Sequence, residues 1–247
     1  MKKYIVANLK MNTKPSEFKS YAMTVAVKTL GTKNDVVVCP PFTHLSLANE
    51  IFSGSHIDFG AQNISEENSG AYTGQISAQM IKDLNAGYVI LGHLECREKF
   101  NENDKMINKK LKIALANGLR VLLCVGEDLA TKESQKDFNF VNNQLAGALR
   151  GIYENELESV FVVYEPQWTH GKEVTTKDID NMADNIRKQV AFLYSEKSGQ
   201  NLNVLYGGNV TAGNYKKILS SGKVNGVLIG SASLNVEDFV AMAKENY

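Results

Sequence analysis

Neither sign of charge dominates this sequence: 27 Lys and Arg stand against 27 Asp and Glu. The broad basic face that binds nucleic acid or an anionic membrane is therefore not expected, although a local site for a small anion remains open. Cysteine is scarce. Cys39, Cys96 and Cys124 are odd in number and far apart, which fits neither a disulfide framework nor a zinc pattern and suits a reducing compartment. Cys39 and Cys124 lie in apolar runs and read as packing residues. Long apolar segments are also missing. None approaches a membrane span, and the apolar run behind Lys2-Lys3 is too short for a secretory signal. A soluble cytoplasmic protein is the expectation. What remains is ordinary globular composition, 43% hydrophobic and 22% charged over 247 residues, ample for a large core.

Tryptophan occurs once, in the most informative stretch: Phe161-Val162-Val163-Tyr164-Glu165-Pro166-Gln167-Trp168-Thr169-His170-Gly171. The apolar run is short and β-branched, so it reads as a buried parallel strand. Pro166 cannot donate to a ladder, so the strand stops by Glu165. Seven more short apolar strands are expected at 4–7, 35–39, 57–61, 88–91, 121–125, 204–206 and 226–229. Helices are expected at 15–30, 42–51, 78–85, 103–117, 132–153, 176–194, 214–220 and 236–245. Residues 62–75 form a long polar loop, of a length that usually serves a function. Eight strand-then-helix units with no linker predict an α/β chain whose residues 1–247 form one closed (β/α)8 barrel.

A barrel turns all its strand C-termini toward one mouth. That places Asn8 and Lys10 after the first strand, His93 and Glu95 after the fourth, and Glu165 after the sixth. Gly207-Gly208-Asn209 follows the seventh, and Gly230-Ser231 the eighth. Glycines at the last two ends let backbone N–H groups approach an anion, at the usual phosphate position of such barrels. A carboxylate, an imidazole, an ammonium and an anion cradle suit proton abstraction beside the carbonyl of a small phosphorylated substrate. Each piece also has a plain reading: a solvated Lys10, a capping or core His93, a simple turn at Gly207-Gly208, and a Glu165 that caps a helix or pairs with an arginine.

Several segments together resemble the triosephosphate isomerase family: Ala7-Asn8-Leu9-Lys10-Met11-Asn12, Cys39-Pro40-Pro41-Phe42-Thr43, Gly60-Ala61-Gln62-Asn63, Gly70-Ala71-Tyr72-Thr73-Gly74, Gly92-His93, Cys124-Val125-Gly126-Glu127, Tyr164-Glu165-Pro166, Tyr206-Gly207-Gly208-Asn209-Val210 and Gly230-Ser231-Ala232-Ser233-Leu234. The resemblance covers nearly the whole chain and implies a TIM barrel that interconverts dihydroxyacetone phosphate and glyceraldehyde 3-phosphate, a step of glycolysis and gluconeogenesis. It implies Glu165 as the base that moves the proton and a neutral His93 that polarises the carbonyl, as is known for the family. Lys10 would offset the enediolate and phosphate charge, Asn8 would orient the substrate, and Glu95 would be the acidic neighbour of Lys10. Backbone N–H groups of Gly171, Asn209, Gly230 and Ser231 would hold the phosphate. The family uses no metal and no organic cofactor, and usually forms a homodimer through a loop matching Tyr72-Thr73.

Two places depart from the family pattern. After Gly92-His93 the family reads Ser-Glu-Arg-Arg, and this chain reads Leu94-Glu95-Cys96-Arg97. Leu94 can neither cap the next helix nor contact the base, and Cys96 takes the place of an arginine that the family uses in an ion pair. A rearranged shell around His93 and Glu95 is the expectation. The second place is a lid segment, where His170 and Glu173 replace an isoleucine and a glycine. A looser lid excludes water less well and lets an enediolate lose phosphate to give methylglyoxal. Three readings stay open: an active isomerase, an impaired variant that releases more methylglyoxal, and a catalytically silent barrel kept for binding or structure.

Overall fold

The computed structural model describes residues 2–169 and 174–247. Eight strands, β1 (Tyr4–Asn8), β2 (Asp35–Cys39), β3 (Ile57–Ala61), β4 (Tyr88–Leu91), β5 (Arg120–Val125), β6 (Val160–Tyr164), β7 (Asn203–Tyr206) and β8 (Gly226–Ile229), follow one another around a closed parallel barrel. The ring closes where β8 pairs with β1, Gly226 opposite Tyr4.

Alternation along the strands separates two apolar layers. Val6, Val37, Cys39, Ile90, Leu122, Cys124, Phe161, Val163, Leu205 and Leu228 form one cluster, the barrel filling, with Tyr88 among them. Their neighbours Ile5, Ala7, Val36, Val38, Val121, Leu123, Val162 and Val204 belong to the larger cluster beneath the helices. The two-residue period carries the filling parity upward to the mouth. It runs from Val6 to Asn8, from Val163 to Glu165, from Leu205 to Gly207 and from Leu228 to Gly230, so these four face the barrel axis at its open end.

The helices are α1 (Pro15–Lys28), α2 (Leu45–Phe52), α3 (Ala78–Asp83), α4 (Leu94–Lys99), α5 (Asp104–Ala116), α6 (Leu129–Glu133), α7 (Asp137–Ala148), α8 (Thr176–Leu193), α9 (Glu196–Asn201), α10 (Tyr215–Ser220) and α11 (Val236–Lys244). Expected boundaries hold to within one or two residues, with three differences. The single helix expected at 132–153 is instead α6 and α7, broken where Gln135 takes a left-handed φ of 56°. Residues 42–51 begin as a 3-10 turn, Phe42–His44, before α2. The six-residue helices α4 and α9 lie outside the expected helix spans. Their caps are His93, whose ring accepts the Glu95 N–H, and Ser195, whose hydroxyl accepts the Ser198 N–H.

Candidate active site

The mouth holds a cavity of about 380 Å³ lined by Asn8, Lys10, His93, Glu95, Glu165, Asn209, Gly230 and Ser231. All the expected site residues on the barrel axis therefore meet in one place. Gly171, and the lid residues His170 and Glu173, lie outside the described residues. Tyr72 and Thr73 do not line the cavity; they sit on the polar loop after β3, with Tyr72 half exposed at 48%.

Glu165 and His93 are both buried, 5% and 8% exposed. His93 Nε2 lies 3.2 Å from Glu165 Oε1. The other ring nitrogen, Nδ1, accepts the Glu95 N–H at 3.2 Å. A nitrogen that accepts a backbone N–H carries no proton, so the ring proton sits on Nε2, the nitrogen that faces the carboxylate. The second carboxylate oxygen, Oε2, accepts the Leu94 N–H at 3.2 Å. This corrects the expectation for Leu94: the contact with the base is made by the main chain at the first residue of α4, where the free amides of a helix N-terminus favour an anion. The cap of that helix is His93 itself.

The ammonium of Lys10 lies 2.8 Å from Glu95 Oε1. Partial burial pushes the Glu95 carboxyl upward, but the hydrogen bond and charge of Lys10 outweigh it and hold the carboxyl below its ordinary range. Glu95 is thus an anion that anchors Lys10 from α4, while its own N–H fixes the His93 tautomer.

The segment around Cys96 is held by other partners. Arg97 holds the segment: its Nε donates to Gly92 O at 2.7 Å, Nη1 pairs with Asp104 at 2.7 Å and Nη2 donates to Cys124 O at 3.1 Å. Behind Cys96, a buried ion pair joins Glu102 to Lys110 on α5, and Asn63 Nδ2 donates to the same Glu102 oxygen at 2.6 Å. Burial and the Glu102 charge push the Cys96 thiol up to about 11, and burial pushes Cys39 to about 12. These thiols stay protonated near neutral pH, and Cys39 packs as the sequence implied.

Three supporting features carry no signature in the local sequence. Gly126 and Gly207 make room for the base: a Cβ on Gly126 would meet Glu165 O at 2.0 Å, and one on Gly207 would meet Glu165 Cγ at 2.8 Å. Glu127 is fully buried at the end of β5 and accepts from Tyr164 Oη at 2.9 Å and Trp168 Nε1 at 2.8 Å, which ties the segment after the base to the next strand. At the anion end the backbone amide of Asn209 lies beside the Tyr206 hydroxyl, where it opposes the upward push of burial on that group. Among the described residues no group of three His, Cys, Asp or Glu side chains is placed to hold a metal ion, and no helix is long and apolar enough to cross a membrane.

Comparison with known proteins decides the family. The family model described as triosephosphate isomerase matches residues 3–246. The chain belongs to the triosephosphate isomerase family. The triosephosphate isomerase of Thermoanaerobacter pseudethanolicus is 38% identical over 237 residues, 95% of this chain and 96% of that protein. That of Alkaliphilus oremlandii is 37% identical over 245 residues, 98% of this chain and 99% of the other. The crystal structure of triosephosphate isomerase from Bartonella henselae superposes with a TM-score of 0.89 at 33% identity, covering 98% of each chain.

Proposed function

We propose that the mouth of this barrel carries out the family's reaction, the interconversion of dihydroxyacetone phosphate and D-glyceraldehyde 3-phosphate through an enediolate, with the following division of labour. Glu165 takes the proton from the carbon beside the carbonyl and returns it to the neighbouring carbon. His93 donates from Nε2 to the substrate oxygen. In the free protein Nε2 faces Glu165 Oε1 at 3.2 Å, so a substrate that enters between them meets the carboxylate and the N–H donor together. Lys10 offsets the negative charge of phosphate and enediolate, Glu95 anchors Lys10, and Asn8 orients the substrate. Backbone N–H groups at Asn209, Gly230 and Ser231, and at Gly171 by resemblance, take the phosphate. The substrate is a small phosphorylated triose, the working unit a homodimer joined through the loop at Tyr72-Thr73, and the setting the cytoplasm, where the reaction serves glycolysis and gluconeogenesis.

The observation that carries this reading is the buried base and the single-proton imidazole 3.2 Å apart in a cavity that also holds Lys10. A silent barrel needs none of these groups together. The test is conversion of dihydroxyacetone phosphate with methylglyoxal release followed in the same reaction. Glu165→Asp draws the carboxylate back by one carbon, and turnover should fall about a hundred-fold. Unchanged turnover in that variant refutes Glu165 as the base. Methylglyoxal as the main product of the unaltered protein would instead favour the impaired reading.

A further inference from the structure

The Glu165 carboxylate meets His93 Nε2 at Oε1 and the Leu94 N–H at Oε2, each at 3.2 Å. Behind it stands the Cys124 thiol, which burial and the Glu165 charge push well above its ordinary range, so that it keeps its proton. Leu94 thus holds the base through its main chain, and the side chain on that same residue is aliphatic.

Leu94 is half-buried at the first position of α4. It borders two spaces that Glu165 borders as well. One is the mouth cavity. The other is a gap at the ends of β4, β5 and β6, lined also by Val125 and Gly126 and too narrow for a water molecule. Leu94 therefore stands between the open mouth and the closed flank of the base. Arg97 borders the same gap, but its Nε, Nη1 and Nη2 donate to Gly92 O, Asp104 Oδ1 and Cys124 O.

An aliphatic group neither donates nor accepts, so at this place it keeps water out. That matters for a base that carries a proton in mid-reaction. The proton taken from one carbon stays on the Glu165 carboxyl until it passes to the next. A water molecule beside the carboxyl exchanges it for a solvent proton. Water there also solvates the resting carboxylate, and proton abstraction must then strip that water away.

We infer that the Leu94 side chain shields the Glu165 carboxyl from water and so keeps the transferred proton on the base between its two carbons; this rests on the role given to Glu165 above. Leu94 acts through Glu165 and is a positioning residue.

The test is isomerisation of dihydroxyacetone phosphate in D2O, with the glyceraldehyde 3-phosphate trapped as it forms. The readout is the fraction of product that keeps the substrate's own hydrogen at the carbon that receives the proton. Leu94→Ala opens the flank, and Leu94→Asn fills it with an amide of similar size. In both, the kept fraction should fall about two-fold or more as water reaches the carboxyl. The amide of Leu94→Asn also gives the resting carboxylate a hydrogen bond that the reaction must break, and kcat/KM should fall about ten-fold. Leu94→Met stays aliphatic and should keep both values. A merely structural role would lower the unfolding midpoint and leave the kept fraction unmoved. That result, or an unaltered protein that keeps none of the substrate's hydrogen, overturns the inference. Helix α4 has no fully buried residue, so these variants should fold; if Leu94→Asn does not, Leu94→Ala decides the question. An unaltered protein that does not turn the substrate over would sink the site reading and this inference with it, whereas normal turnover with an unmoved kept fraction removes the inference alone.

Discussion

A β-carbon on residue 207 has no room. It would stand 2.6 Å from Val163 Cγ1 and 2.8 Å from Glu165 Cγ, and the second neighbour is the stem of the base. Gly207→Ala should therefore displace the carboxylate by a fraction of an ångström to an ångström and lower kcat/KM on the order of a hundred-fold, with a stability loss of about 1–3 kcal/mol from overpacking. A kinetic loss no larger than the thermal one predicts would mean that Glu165 tolerates the shift. Glu127 makes a second case at this scale. Burial pushes its carboxyl above the ordinary range, against the pull of the Trp168 and Tyr164 hydrogen bonds, and its Oε2 is buried without a hydrogen-bond partner. The folded protein therefore holds this proton more tightly than the unfolded chain does. The stability it contributes is fully present below the unfolded value, about 4.3, and is lost as pH rises through the higher folded value. Glu127→Gln removes that titration and keeps an oxygen for both donors. The urea midpoint of the unaltered protein minus that of the variant should fall as pH rises above about 4.3, and a flat difference would refute the assignment. Trp168, the only tryptophan, reports the same event by fluorescence.

At the scale of elements, the strands could be read in advance and the short helices could not, for a physical reason. Each strand is a run of apolar residues whose composition alone demands burial, as in Val36-Val37-Val38 or Leu122-Leu123. Helix α4, Leu94-Glu95-Cys96-Arg97-Glu98-Lys99, has no buried residue at all. It exists because His93 caps it and Arg97 ties it to Gly92, Asp104 and Cys124, contacts fixed by a fold that a local pattern does not contain. The break at Gln135 is hidden in the same way, since no residue type announces it. The site itself is legible because strand parity aims Asn8 and Glu165 at the axis, whereas Glu127 acts through bonds to a neighbouring strand and leaves no local trace. The buried pair of Glu102 and Lys110 belongs here as well. Both side chains are 6% exposed, and Asn63 completes the cluster from the loop after β3. Lys110→Met would leave a carboxylate in the interior with only an amide donor, and should cost about 3–5 kcal/mol, measured as a lowered urea midpoint. A loss below about 1 kcal/mol, the range of a surface pair, would show that Glu102 finds water or takes up a proton at little cost.

At the scale of the molecule, three of the exposed apolar side chains lie on segments that follow strand C-termini. Met11 is 96% exposed directly after Lys10, Phe100 is 71% exposed at the end of α4, and Tyr72 is 48% exposed on the loop after β3. All three follow strand C-termini, and the first two adjoin the segments that carry Lys10 and Glu95. Large apolar groups left in water on loops at one end of the barrel favour a partner surface, and in a two-fold dimer the same surface serves both copies. The proposed homodimer should sediment at twice the chain mass of 27.2 kDa. Tyr72→Asp places a charge at the centre of that surface and should shift the protein to monomer. Because Met11 directly follows Lys10, whose φ of 52° lies in the left-handed region, losing the partner should also lower kcat/KM, and activity should return as protein concentration rises. Phe192 is 84% exposed on α8, away from these loops, and Phe192→Asp should change neither mass nor turnover. Dimers that persist in Tyr72→Asp, or a monomer with undiminished kcat/KM, would separate the loop from the assembly or the assembly from the chemistry.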